Sequence, residues 1–346
     1  MAPNTKNTHI VRASHLAKGQ TFDVSLFKSE NVEIDSTLNE GEVLIRSLYL
    51  ALDPFIRYSF LEDSSASGPL NGPVGGIGIG EVIESKNPAF PVKSVVLGFG
   101  FEWAEYSKVT AAKLQAFFVI PNPRNPKIAL TEYLNVLGLN GLTSFAAVET
   151  LVKFKKDQVV FVSSAAGPVG SFFAILAKRA GAFVIGSAGS DEKIQYLLKD
   201  IGIDAAFNYK TQDASVELSK ISKDGIDIYF DLVGGEQFDI ALEKLKPHGQ
   251  VVAIGNISES NAKTPYVTKN LGFIIRKALT INGFTAYHHF DKVPLLWKTI
   301  GPLVENGEIP AQKEVVIKGI DNAPQSFVDY LNGKYHGKVY VEVATL

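Results

Sequence analysis

The sequence contains no cysteine. That absence removes disulfides, thiol nucleophiles, iron–sulfur clusters and every thiolate zinc site together. It leaves the redox compartment open, since a chain without thiols tolerates either setting. An excess of one charge is also lacking: 34 Lys plus Arg stand against 36 Asp plus Glu, for a net charge of −2. No basic field exists to condense on nucleic acid or an anionic membrane, so neither is an expected partner. Residues 1–14 lack a basic-then-apolar leader pattern, which makes the cytosol the expected compartment. Metal chemistry finds no cluster to use. His9, His15, His248 and His336 are scattered. His288 and His289 are adjacent, and on a strand they would face opposite sides. No G-x-S-x-G occurs, so serine-hydrolase chemistry has no support.

Long hydrophobic runs are missing too, with one imitation. Residues 158–177 carry no charge, and ~20 residues would suffice to cross a bilayer. The run begins β-branched and aromatic, is broken at Ser163, Ser164, Gly167 and Pro168, and resumes in helical texture up to Gly181. A strand, a tight turn and a helix are the reading, not a span.

What is present is an ordinary globular mix: 346 residues, 46% hydrophobic and 20% charged. At ~100–200 residues per domain this predicts two domains with cores that need no staple. Residues 1–127 are rich in β alternation, as at 43–49, 75–83 and 105–109. Pro121, Pro123 and Pro126 mark a boundary. Across 128–310, strands at 159–162, 183–187, 205–208, 226–232, 250–254 and 279–284 alternate with helical runs. One of these runs is N-capped by Asp191 and followed by Gly202. Buried strands with amphipathic crossovers imply a doubly wound parallel sheet. From 311 the texture returns to β, so residues 311–346 are expected to complete the first domain around an α/β insert.

The strand-turn-helix segment Val159-Val-Phe-Val-Ser-Ser-Ala-Ala-Gly-Pro-Val-Gly170 carries A-x-G-x-x-G. Gly167 lets backbone approach a pyrophosphate and Gly170 lets helix and strand pack, with the helix N-terminus donating to phosphate. An ordinary tight βα turn would read the same way. The next strand end decides more. NAD sites place an acid there, about 20 residues on, for the ribose 2′-hydroxyl. Here the tip reads Ile185-Gly-Ser-Ala-Gly-Ser190, with Lys193 and Tyr209 placed to reach the same spot. This favours NADPH, although a solvated surface role for Lys193 gives the same residue type. The glycine run 75–80 lacks a Lys-Ser/Thr and leads into a strand, so it reads as a barrel segment near a ligand.

These features resemble the medium-chain dehydrogenase/reductase superfamily, in its zinc-independent branch of NADPH-dependent alkenal/one double bond reductases. That branch includes the leukotriene B4 dehydrogenase/prostaglandin reductases. The resemblance is carried by Leu52-Asp-Pro-Phe-Ile-Arg57, Trp103-Ala-Glu-Tyr-Ser107, Gly138-Leu-Asn-Gly-Leu-Thr143, Ser163 to Gly170, Gly186-Ser-Ala-Gly-Ser-Asp-Glu-Lys193, Phe207-Asn-Tyr-Lys210 and Gly337-Lys338. It implies a Rossmann domain inserted into a GroES-like β-barrel substrate/catalytic domain, and a homodimer joined at the 279–284 strand.

The resemblance also implies roles. Ala165, Ala166, Gly167, Pro168, Val169 and Gly170 would cradle the pyrophosphate. Gly189, Lys193 and Tyr209 would hold the 2′-phosphate. Asp231 stands where relatives carry Asn near the cofactor. Ile254, Phe284, Thr285 and Ala286 would line the nicotinamide, and Asp53 and Thr143 would lie by the cleft. Departures stand at Ser260, where relatives have Tyr, at Phe55 for Tyr and at Tyr335 for Asn; Ser260 and Tyr335 are still expected beside the cofactor. The implied reaction is reduction of the C=C bond of an enal or enone by hydride transfer to the β carbon. Tyr266, Tyr58 and Ser260 are candidate donors to the carbonyl oxygen, and Phe55, Tyr58, Tyr266 and Tyr287 candidate pocket residues. Packing explains Tyr58 and Tyr266 equally well. Quinone reduction, or NADPH binding with little catalysis, are the competing readings.

Overall fold

The computed structural model describes residues 6–17, 20–34, 36–259, 262 and 264–346. The chain divides into two compact units: Met1–Leu134 with Lys313–Leu346, and Asn135–Gln312.

The first unit begins with β1 (Lys6–Arg12) and β2 (Phe27–Glu33), an antiparallel hairpin pair. β3 (Val43–Leu52), β4 (Gly75–Ser85), β5 (Val95–Glu102), β6 (Tyr106–Val109) and β7 (Phe117–Val119) follow. Between β3 and β4, the 3-10 turn Pro54–Phe60 is started by a proline whose fixed φ suits a first helical position. β4 explains the glycine run. A Cβ on Gly80 would stand 2.3 Å from Ile45 and one on Gly78 2.7 Å from the Phe101 ring. These glycines make room for core side chains.

The second unit opens with α1 (Leu139–Thr150), followed by β8 (Val159–Val162) and α2 (Pro168–Arg179). The uncharged 158–177 stretch is therefore a strand, a turn and a helix. Among the described residues, no helix is long and apolar enough to cross a membrane. Next come β9 (Phe183–Ala188), α3 (Asp191–Tyr196) and a π turn Leu197–Ile201 closed by Gly202 at φ 77°. Ser190, not Asp191, caps α3: its side chain accepts the Lys193 N–H at 3.4 Å. Asp191 instead accepts from the Asn208 amide at 2.7 Å. β10 (Ala205–Asn208), α4 (Ala214–Ile221), β11 (Ile226–Asp231), α5 (Gly235–Lys244), β12 (Leu245–Ala253), α6 (Gly272–Arg276), β13 (Thr280–Gly283) and α7 (Val293–Glu305) complete it.

The six strands pair in parallel in the order β10-β9-β8-β11-β12-β13. The chain runs outward from β8 to β10, then returns to the other side of β8 at β11. That reversal makes a crevice at the C-terminal ends of β8 and β11, the place where such sheets bind ligands. Phe161, Val162, Ile185, Tyr229, Phe230 and Val251 are wholly buried, as strands covered on both faces require.

The tail returns to the first unit. β14 (Glu314–Lys318) pairs parallel with β15 (Lys338–Glu342), and β15 pairs antiparallel with β3. Between them lies α8 (Ala323–Leu331), where the sequence texture predicted only strands. Pro324 starts it, and its buried face carries Phe327, edge-on to Phe22 and Trp103 at 5.4 and 5.8 Å. His288 ends a 3-10 turn and His289 follows it, neither in a strand, with His289 stacked on Phe284 at 4.8 Å.

Candidate cofactor-binding site

The turn between β8 and α2 is built around positions where a side chain cannot fit. Ser164 adopts φ 49°, turning the chain sharply. A Cβ on Gly170 would stand 2.7 Å from the Ser164 carbonyl oxygen and 2.9 Å from Ala165 Cα. Gly167 is the N-cap of α2 and Pro168 its first residue. Ala165 N–H donates to the Ser187 carbonyl at 2.9 Å and Gly167 N–H to the Ser164 carbonyl at 3.0 Å, so neither amide is spare. Pro168 has no N–H. The amides of Val169 and Gly170 are the ones a helix start leaves without an internal acceptor. They give this turn its capacity to hold an anion.

A second anion corner lies past β9. A Cβ on Gly189 would meet the Tyr209 hydroxyl at 3.1 Å and Lys210 Cε at 3.2 Å, so the glycine lets both side chains close over the strand tip. Lys193 is half-buried. Its ammonium is pushed below the usual lysine range, first by burial and then by the Lys210 charge, with Glu192 opposing. The two ammonium charges repel one another, and an anion between them would relieve that repulsion. Lys210 ends the Phe207-Asn-Tyr-Lys210 stretch that carries the resemblance, and the fold brings its side chain to the corner.

Asp231 closes β11 and is 2% exposed. Its Oδ1 accepts from the Tyr229 hydroxyl (2.7 Å), Gly234 N–H (2.9 Å), Val233 N–H (3.0 Å) and the Ser163 hydroxyl (3.2 Å). Burial raises the carboxyl above its usual range, against the pull of these donors. The Asp231 carbonyl accepts Ile254 N–H at 2.8 Å, and the Ala253 carbonyl accepts Phe284 N–H at 2.9 Å. Thus Asp231, Ile254, and Phe284 with Thr285 and Ala286 stand at the C-terminal ends of neighbouring strands.

Asp231 and Tyr266 line one pocket of about 340 Å³ with Phe238, Asn256, Glu259 and Thr268. The Tyr266 hydroxyl donates to Asp239 at 3.1 Å. Tyr287 is exposed and packs edge-on to Phe290 at 5.7 Å. Thr143, buried in α1, donates its hydroxyl to the Leu139 carbonyl at 2.7 Å. Ser260 lies outside the described residues.

The remaining candidates belong to the first unit. Asp53 precedes the 54–60 turn and is bonded to Lys338, a lysine with no exposed surface. Burial pushes the Lys338 ammonium down, while Asp53 opposes the shift. The second oxygen of Asp53 is buried without a partner. Phe55 packs on the core, and so does Tyr335. Tyr58 is 45% exposed, and its hydroxyl makes no hydrogen bond among the described residues.

Residues 18–117 match the family model of an N-terminal domain of oxidoreductases, and residues 168–301 that of zinc-binding dehydrogenases. The chain is 35% identical to the NADP(+)-dependent 2-alkenal reductase of Nicotiana tabacum, over 91% of this chain and 92% of that one. It is 34% identical to prostaglandin reductase 1 of Bos taurus, over 91% and 93%. It belongs to the NADPH-dependent medium-chain dehydrogenase/reductase family.

Within this family the solved CurA–NADPH complex of Vibrio vulnificus superposes with a TM-score of 0.87 at 27% identity, over 98% of this chain and all of that one. The cofactor of the family fits the residues described. The close turn at Gly170 would let backbone approach a phosphate, and the Lys193–Lys210 corner would suit a further one. Zinc fits less well despite the name of the second model. The chain has no thiolate, and no trio of His, Asp or Glu among the described residues could hold a metal.

Proposed function

We propose that this chain reduces the C=C bond of α,β-unsaturated aldehydes and ketones with NADPH, the Asn135–Gln312 unit holding the cofactor and the other unit the substrate. The observation that carries the cofactor half is the Gly189–Lys193–Tyr209–Lys210 corner, with two ammonium groups where an NAD site has an acid. The alkenal and prostaglandin reductases among the relatives support the substrate half.

In this reading the Val169 and Gly170 amides hold the pyrophosphate, and Lys193, Lys210 and Tyr209 the 2′-phosphate. Ile254 and the Phe284–Thr285–Ala286 backbone border the nicotinamide. Bound NADPH supplies a hydride to the β carbon. The chain then has two tasks. It must stabilise the negative charge that collects on the carbonyl oxygen, and it must let a proton reach the α carbon. The Tyr58 phenol, whose hydroxyl makes no hydrogen bond among the described residues, is the donor for the first; water or a hydroxyl serves the second. Phe55 forms an apolar wall.

Homodimerisation is part of the proposal. β13 is the edge of the parallel sheet, and Ile281 on it, with Leu271 and Ile275 beside it in sequence, is exposed at 37%, 53% and 86%. An open edge flanked by apolar side chains favours pairing with a second copy.

The test is direct. Protein, NADPH and a panel of enals, enones and quinones are mixed, and loss of NADPH absorbance is followed. Turnover of the enals and enones is expected. No consumption of NADPH with any member would end the reductase reading, and turnover of quinones alone would replace it with quinone reduction.

A further inference from the structure

An enal is an electrophile at the same β carbon that takes the hydride, and a thiolate is the first side chain it would attack. This chain has no cysteine, so that target is missing. Imidazoles and lysine amines remain, and an amine is reactive only as the free base. Burial or a neighbouring cation produces free base by disfavouring the charged form. Three lysines among the described residues have ammonium groups pushed below the ordinary lysine range, each first by burial: Lys193, Lys277 and Lys338.

Their surroundings separate them. Lys338 has no exposed surface and is bonded to Asp53. Lys277 donates to the carbonyl oxygens of Glu243 and Leu245, which hold its protons in place. Lys193 is half-buried, so a small molecule can reach it. Its ammonium makes no hydrogen bond or ion pair among the described residues, and only the charge of Glu192 acts in its favour. Lys210 presses on it: with no Cβ on Gly189, the Tyr209 hydroxyl and Lys210 Cε come within 3.1 and 3.2 Å of where that atom would stand. A partly desolvated amine beside a second cation is the arrangement that turns a lysine into a nucleophile. The gain in free base outweighs the accompanying loss of intrinsic nucleophilicity.

We propose that Lys193 is a site of covalent modification by the enal substrates themselves, and that bound NADPH shields it. The amine nitrogen forms a bond to the β carbon, and the C=C electron pair moves to the α carbon. The proton shed by nitrogen is taken up there. The aldehyde is kept, and nothing is oxidised or reduced. The adduct puts bulk where the 2′-phosphate would lie, so a chain met by enal without cofactor loses NADPH binding. A bound 2′-phosphate pairs with the charged form of Lys193 and covers it. This rests on the reductase reading above, which supplies the electrophile.

The experiment treats the cofactor-free chain with trans-2-hexenal, stops at partial labelling and maps the adducts by proteolysis and mass spectrometry. NADPH binding is titrated by fluorescence on the same samples. Lys193 should label about threefold or more faster than Lys210 and the ion-paired lysines. The fraction still binding NADPH should match the fraction with Lys193 intact. At about ten times its Kd, 2′,5′-ADP should slow the labelling about tenfold, whereas 5′-AMP at equal saturation, lacking the 2′-phosphate, should have little effect. Lys193→Arg, whose guanidinium stays charged, should keep through the treatment whatever NADPH binding it has. Labelling of Lys193 no faster than that of Lys210 overturns the assignment. So does labelling that 2′,5′-ADP leaves unchanged, or loss of NADPH binding with Lys193 intact. No cofactor is present during labelling, so the result is independent of turnover. If enals are reduced and Lys193 stays intact, only this inference falls; if no enal is reduced, the reductase reading falls even where Lys193 is labelled.

Discussion

The Tyr266 phenol donates to Asp239 Oδ2 at 3.1 Å, while Oδ1 of the same carboxylate accepts the N–H groups of Lys269 and Asn270 at 2.9 and 2.7 Å. One buried carboxylate therefore ties residues 266–270 to α5. Burial and the Asp239 charge raise the Tyr266 phenol above its ordinary range, which makes it a reluctant acid. Tyr266→Phe should leave kcat within a few-fold of the parent, while Tyr58→Phe should lower it about 10²-fold, the size of a lost oxyanion donor. Steady-state kinetics on one enone ranks the two. The opposite ranking would assign the donor role to Tyr266.

Lys193→Ala should weaken NADPH about ten- to a hundredfold, the range for a hydrogen bond to a charged group, and leave NADH little changed. Equal losses for the two cofactors would remove the phosphate role. Lys210→Ala should act in the same direction.

The pH dependence has a definite sign. Lys193 in the free protein lies below the ordinary lysine value of 10.5, because burial and Lys210 disfavour its charge. A bound phosphate dianion favours the charged form, so above the free-protein pKa binding must take up a proton. The preference for NADPH over NADH should therefore shrink as pH rises, beginning below the ordinary lysine range. Titrations of both cofactors across alkaline pH check this; a flat ratio contradicts it.

Gly170→Ala places a Cβ 2.7 Å from the Ser164 carbonyl oxygen, an atom of the backbone that cannot swing away. The expected cost is about 1–3 kcal/mol of stability. NADPH affinity should fall as well, because the turn must open to relieve the contact. Chemical denaturation and cofactor titration give the two numbers.

Lys338→Met strips the buried Asp53 of its partner and should cost roughly 3–5 kcal/mol. Lys338→Met combined with Asp53→Leu should recover much of that loss, since no buried charge remains. Denaturant melts of the two single variants and the double variant close the cycle.

The alternation of strands and helices across the second unit was legible because buried strands leave apolar runs and turns leave Gly and Pro. The helix Ala323–Leu331 was not, because its apolar residues Phe327, Val328, Tyr330 and Leu331 fall close together and imitate a strand. Their helical face shows only against the aromatic core that Phe327 enters. At the site, the glycine pattern and Lys193 could be read in sequence because glycine and a missing acid carry local meaning. The closing of Lys210 over the strand tip could not, because it depends on a contact with Gly189 across strand ends that no spacing rule encodes.

The pairing of β15 with β3 carries a consequence for how the molecule is made. Lys338 and Asp53, which that pairing brings together, are 285 positions apart in the chain. During synthesis the first unit waits, with one edge of β3 unpaired and Asp53 lacking its cation, until Lys338 has emerged. The Rossmann unit is one uninterrupted stretch and is complete earlier. It is therefore expected to fold first, shortening the loop that β3 and β15 must close.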